Sequence, residues 1–299
     1  MSRVKRPLLL VGIAAFVVVD VLLVAMAVRN VRDRDVPAGA GPGSTSPEGS
    51  IGRGADPGGV PGAGGEPAEA VLLDAGSGGA LLRATRGDCS GSQEPRAGIS
   101  TDGGRTFRPV DSPVGEVLRV DIGSAADLWL VGLDESCVPG FYRSGDGGRS
   151  WQESAGTAGA WHLLPGDAEA LHAPDGRAPI GCSPVTVSSV DPEVAYASCA
   201  DDSLRVTRDG GATWRPAGRV PGLVATAFRG PDVGVAVGVT PRCPAKMWST
   251  TNAGRAWSPD QCLPGEAPAQ AVAVAPGVTY VQRGGQVEAA RDGLGFTNP

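Results

Sequence analysis

A short pattern returns along the last two-thirds of this chain: a hydroxyl residue, a spacer, Asp, a pair of glycines, two further positions and an aromatic. The intact copies are Ser100-Thr101-Asp102-Gly103-Gly104-Arg105-Thr106-Phe107, Ser144-Gly145-Asp146-Gly147-Gly148-Arg149-Ser150-Trp151 and Thr207-Arg208-Asp209-Gly210-Gly211-Ala212-Thr213-Trp214. Two copies are degraded: Thr250-Thr251-Asn252-Ala253-Gly254-Arg255-Ala256-Trp257 puts Asn in place of Asp, and the stretch Ala290 to Phe296 keeps little beyond Asp292-Gly293. Such a box suits a hairpin corner. The acidic and hydroxyl side chains accept hydrogen bonds from nearby backbone N–H groups, and glycine supplies the positive φ that a Cβ disfavours. A repeat of forty-odd residues marks a propeller or solenoid, because each unit buries its faces only against its neighbours.

These residues resemble the Asp-box, or BNR repeat, of sialidases, sortilin-type receptors and photosystem II assembly factors. The resemblance spans residues 68–299 and implies a β-propeller in which each box joins the third and fourth strands of a blade. It assigns Asp102, Asp146, Asp209, Asn252 and Asp292 a structural role in their turns. Reading outward from the boxes gives strands at Pro184 to Val190, Val194 to Cys199, Ser203 to Thr207 and Ala212 to Pro216. The next unit is Leu223 to Phe228, Val233 to Val239, Ala245 to Thr250 and Arg255 to Ser258. Successive box positions lie 44, 63, 43 and 40 residues apart. The expectation is an all-β propeller of five four-stranded blades, with residues 152–181 as an ordered excursion between the second and third. The box aromatics Phe107, Trp151, Trp214 and Trp257 are expected to lead their strands into the core.

Before the propeller the chain divides into a short tail at 1–6, an apolar run at 7–28 and a linker at 29–67. The run Pro7 to Val28 would span roughly 33 Å as a helix at about 1.5 Å per residue, one bilayer crossing. Basic residues flank both its ends, so charge does not set an orientation. Cleavage as a signal peptide after Ala25-Met26-Ala27 is the alternative, although the run exceeds the usual signal core. Asp20 within it marks either self-association or a carboxyl near the interface. The linker is rich in Gly, Pro, Ala and Ser with no apolar period, the composition of a flexible tether.

A net charge of −6 in 299 residues, with 26 basic against 32 acidic side chains, argues against a nucleic-acid partner. The six cysteines all fall in the propeller region, behind an export or anchor signal, which points to disulfides outside the cytoplasm. Fifteen pairings exist in principle. Cys243 and Cys262 lie symmetrically about the fourth box, and Cys182 and Cys199 flank the first two strands of one blade. Cys89 and Cys137 remain, in matching second-to-third-strand loops of adjacent blades. No Cys-x-x-Cys is present and the only histidines are His162 and His172, so no metal is expected, and no cofactor.

The resemblance to sialidases would imply a Tyr nucleophile, an acid Asp, an Arg triad and an Arg-Ile-Pro element. This chain has no Arg-Ile-Pro, and its three tyrosines, Tyr142, Tyr196 and Tyr280, fall in strands. Gly76-Ser77-Gly78-Gly79 precedes a strand and reads as a turn rather than a phosphate loop. The candidate binding residues are instead the loop acids Asp88, Asp134, Glu135, Asp201 and Asp202, gathered on the face opposite the boxes. Trp161, His162 and His172 in the excursion join them, since long loops on rigid scaffolds carry function. The reading is a membrane-anchored extracytoplasmic module that binds a protein or glycan. The alternative is a glycoside hydrolase acting on envelope saccharides.

Overall fold

The computed structural model describes residues 70–154 and 160–291. Their strands form six antiparallel sheets, each a sequential meander. Blade 1 comprises β1 (Val71–Ala75), β2 (Leu81–Thr85), β3 (Ala97–Ser100) and β4 (Arg108–Val110). Blade 2 comprises β5 (Glu116–Ile122), β6 (Leu128–Leu133), β7 (Pro139–Ser144) and β8 (Gln152–Ser154). Blade 3 has three strands, β9 (His162–Leu163), β10 (Ala170–Ala173) and β11 (Gly176–Pro179). Blade 4 comprises β12 (Pro184–Ser189), β13 (Ala195–Cys199), β14 (Ser203–Thr207) and β15 (Arg215–Arg219). Blade 5 comprises β16 (Leu223–Phe228), β17 (Gly234–Thr240), β18 (Cys243–Thr250) and β19 (Ser258–Cys262), and blade 6 β20 (Ala269–Ala275), β21 (Val278–Arg283) and β22 (Gln286–Arg291). The first strands β1, β5, β9, β12, β16 and β20 each neighbour the next, and β20 returns to β1, closing the ring.

The chain is therefore a six-bladed β-propeller, which corrects the expected five. The extra blade is the stretch read as an excursion between blades. Thirty residues are too few for four strands of ordinary length, but strands of two, four and four residues fit, and this blade carries no box to announce it. It also runs against the pattern. Trp161, immediately before β9, donates its Nε1–H to the carbonyl of Asp191 in the β12–β13 turn at 3.3 Å, so β9 leaves the face on which β12 ends.

Among the described residues the only helical element is the single turn Ser77–Gly79, between β1 and β2. No helix there is long and apolar enough to cross a membrane. The span expected at 7–28, the linker at 29–67, and Asp292 lie outside the described residues.

The three intact boxes close by the same bonds. The Ser100 hydroxyl, buried, accepts the Gly104 N–H at 2.9 Å and donates to Asp102 at 2.7 Å, while Asp102 accepts the N–H and hydroxyl of Thr106 at 3.0 and 2.7 Å. Ser144, Asp146 and Ser150 repeat this arrangement, as do Thr207, Asp209 and Thr213. These bonds hold the Asp102 and Asp146 carboxyls well below the usual carboxylate range, the Thr106 and Ser150 hydroxyls contributing most. Asn252 keeps the backbone bond, from the Ala256 N–H at 2.9 Å, but Ala256 has no hydroxyl to offer a second. Because the box bonds extend to the seventh position, the fourth strands start later than expected, at Arg215 and Ser258.

The boxes also join blades. A Cβ on the second glycine would stand 2.8 Å from Val287 at Gly104, 2.8 Å from Val110 at Gly148 and 2.9 Å from Ala173 and Ala178 at Gly211. In each case the obstacle belongs to the preceding blade. The box aromatics point the same way. Trp151 donates to the Asp111 carbonyl at 2.9 Å, Trp257 to the Ala217 carbonyl at 3.3 Å, and Phe107 packs on Tyr280 and Val287. All four box aromatics are only half-buried, because they staple the seam between blades rather than fill a blade's interior.

All three expected disulfides are present: Cys89–Cys137, Cys182–Cys199 and Cys243–Cys262. The first ties blade 1 to blade 2 through their second-to-third-strand loops.

Candidate functional site: the central channel

The first strands surround a channel of about 550 Å³. Strand alternation sends every second side chain of β1, β5, β12, β16 and β20 inward. The walls differ. Blades 4 to 6 contribute Val187, Val224, Val272 and Val274, whereas blades 1 and 2 contribute Asp74, Arg86, Arg119 and Asp121. Val185 and Val239, both exposed, line its rim on the face opposite the boxes.

At the box end Arg119 grips Asp121 with two bonds of 2.6 Å, donates to the Trp161 carbonyl at 2.9 Å and to the Ser189 hydroxyl at 2.8 Å. Positions 119 and 121 share a face of β5, so one strand supplies both charges. Near the other end Arg86 pairs with Glu116 at 3.2 Å. Asp74 differs from these. Its Oδ2 accepts the Ile122 N–H at 2.8 Å, and among the described residues no cation touches it. Burial, then the nearby Asp121, raises its pKa to about 6. Two further polar atoms on channel residues, Gln270 Oε1 and Thr186 Oγ1, are buried without a hydrogen-bond partner.

The residues expected from the sequence lie elsewhere. Asp88 and Glu135 come together in a groove of about 980 Å³ on blades 1, 2 and 6, with Arg83, Phe107 and Gln282. Most of the loop acids bond within their own loops. Asp88 accepts from Ser90 and Ser92, Asp134 from the N–H groups of Ser136 and Val138 at 2.8 and 2.9 Å, and Asp201 from Ser203 at 2.6 Å. Asp202 accepts the N–H groups of Gly222 and Leu223 at 3.0 and 3.1 Å, fixing the entry to blade 5. Trp161 and His162 are buried. His162 stacks on His172 at 4.4 Å, and its Nε2 has no hydrogen-bond partner. Burial pushes the His162 pKa down to about 4. Among the described residues no three His, Cys, Asp or Glu side chains gather as metal ligands would.

The channel acids were missed because charge was sought in loops. Their signal was present: Arg119 and Asp121 at alternate positions of Val117-Leu118-Arg119-Val120-Asp121-Ile122, and Asp74 within Val71-Leu72-Leu73-Asp74-Ala75. A charge on the inward phase of a strand that is otherwise apolar has no solvent to reach except a cavity.

No family model matches the chain, and no curated protein does. The Asp-box likeness is thus one of sequence pattern. Among solved structures the chain is similar to YCF48 bound to D1 peptide, with 15% identity, 77% of this chain and 67% of that one covered, and a TM-score of 0.32. It is similar to a virginiamycin B lyase from Staphylococcus aureus with quinupristin at 13% identity, covering 77% and 83%, with a TM-score of 0.49. An Aleuria aurantia lectin in complex with a fucosylated GlcNAc has 12% identity, coverage of 77% and 94%, and a TM-score of 0.49. Likenesses this distant carry no argument about ligand or activity, and the fold rests on the strand order itself.

Proposed function

We infer that this propeller is an extracytoplasmic binding module that engages a protein or glycan partner through the channel mouth opposite the boxes. The observation that carries the reading is the channel, uncharged along blades 4 to 6 and charged along blades 1 and 2. Pockets of this kind are the usual sites of recognition. Disulfides that use every cysteine of the chain support a location outside the cytoplasm, as does the apolar run at 7–28 read as an export or anchor signal.

One observation favours the hydrolase alternative: a carboxyl with its pKa raised to about 6 beside a second carboxylate is the division of labour that glycoside hydrolysis uses. Arg119, however, holds both oxygens of Asp121 in a bidentate pair, which occupies that carboxylate as a counter-ion. Binding is therefore the preferred reading. The test is to close the mouth. Val185→Trp and Val239→Trp, at exposed positions, should abolish calorimetric binding of 4-phenylbutanol without changing the melting temperature. Binding that survives both moves the site elsewhere. Turnover of a glycan panel, lost in Asp74→Asn, would replace binding by hydrolysis.

A further inference from the structure

The channel contains four charged side chains, and three of them are accounted for. Arg119 is matched by Asp121, and Arg86 by Glu116. Asp74 is left over, facing these groups with no cation in contact among the described residues. It sits three residues along β1 from Val71, which at about 3.3 Å per residue places it some 10 Å along the strand. Across the channel stand Val187 of blade 4 and Val224 of blade 5, with Val272 and Val274 on the adjoining blade 6. The unpartnered Gln270 Oε1 is an acceptor, and the Thr186 hydroxyl is able to accept. A carboxylate with no cation in contact at the box end and an uncharged wall along the length are complementary to a cation on an apolar stem, with the Gln270 acceptor nearer the mouth, second along β20. An anionic ligand would be repelled by the carboxylate, and a neutral one would bring it no counter-charge.

We propose that the channel is a site for a primary ammonium group on an apolar stem, with Asp74 as its counter-ion. This deepens the channel-binding reading and rests on it. The ammonium arrives either on a lysine side chain of a protein partner or on a free amphipathic amine, and the chemistry of the site is the same for both. The proton on Asp74 competes with the ligand, since a neutral carboxyl offers no counter-charge. Binding therefore weakens on acidification through pH 6. Asp121, the other carboxylate lining the channel, and Glu116 beside Arg86 are engaged by arginines at 2.6 and 3.2 Å.

The test uses three probes with one apolar body: 4-phenylbutylammonium, 4-phenylbutanol and 4-phenylbutyrate, titrated calorimetrically into the full-length protein. The ammonium should bind roughly 10- to 100-fold more tightly than the alcohol, the value of a charge-assisted hydrogen bond, and the carboxylate least. Asp74→Asn should remove that preference and leave the alcohol unchanged. In the wild type, moving from pH 7.5 to pH 5 should weaken the ammonium about tenfold, a measurement that needs no variant to fold. A pentapeptide with a central lysine, beside its Nε-acetylated form, separates the two sources. Peptide binding lost on acetylation assigns the ammonium to a protein, and binding of the phenylbutyl probe alone assigns it to a free amine. If the alcohol binds as well as the ammonium, or Asp74→Asn changes nothing, the assignment of Asp74 is overturned while the channel stands. If none of the probes binds, both fall.

Discussion

Trp214 of the third box meets Trp161 edge-on, the ring centroids 5.9 Å apart and the planes at 84°. The contact fastens blade 4, which has a box, to blade 3, which has none. Edge-to-face aromatic pairs contribute beyond their area. Trp214→Ala should cost about 3 to 5 kcal/mol, in the range of large-to-small changes at packed sites. Urea denaturation measures it. A cost below about 1 kcal/mol would mean that the seam is held by other contacts.

The two glycines of a box have different duties, and alanine should separate them. Gly103 has φ of +77° and an added methyl there would meet nothing within 4 Å, whereas Gly104, at φ +97°, would drive its Cβ to 2.8 Å from Val287 of blade 6. Gly103→Ala should cost about 1 to 2 kcal/mol, the strain of a left-handed alanine. Gly104→Ala should cost more, since a clash between blades is added. Equal costs would remove the inter-blade role of the second glycine.

Two groups oppose each other in acid. Asp74, raised to about 6 from 3.8, binds its proton more readily folded than unfolded, so its contribution to stability is largest below pH 3.8 and is lost as pH rises through 6. His162, lowered to about 4 from 6.5, binds its proton more readily unfolded, so stability is lost as pH falls from 6.5 towards 4. Each shift is worth on the order of 3 kcal/mol at its limit, and over their shared window they nearly cancel. Asp74→Asn should make stability rise with pH between 4 and 6.5, and His162→Phe should make it fall. Slopes of the same sign in the two variants would refute both assignments.

What the sequence showed was what is local. A box is specified by eight consecutive residues that bond among themselves, so Ser100 to Phe107 announces its hairpin wherever it occurs. The disulfides were legible because Cys243 and Cys262 sit symmetrically about such a turn. Blade 3 has no comparable signature: β9 is two residues long and its strands are fixed by neighbours, Trp161 by Asp191 and Trp214. Counting boxes therefore undercounted blades. Asp74 and Arg119 escaped for a related reason, since they are 45 residues apart and meet only where the first strand of blade 1 packs against that of blade 2.

The disulfide between blades should matter more than the one within a blade. Cys89–Cys137 closes 48 residues and Cys182–Cys199 closes 17. Loop-closure entropy gives about 4 and about 3 kcal/mol respectively. Paired serine substitutions, compared by denaturation under non-reducing conditions, should rank in that order. The reverse order would show that strain or residual structure outweighs chain entropy.

The channel itself is tested most directly by methyl NMR of the full-length protein during titration with 4-phenylbutylammonium. The valine methyls of Val187, Val224, Val272 and Val274 should shift together and saturate with one dissociation constant. Val110 and Val114, which line the groove holding Asp88 and Glu135, should stay in place. Shifts confined to Val110 and Val114 would contradict the account and return the site to the acidic loops.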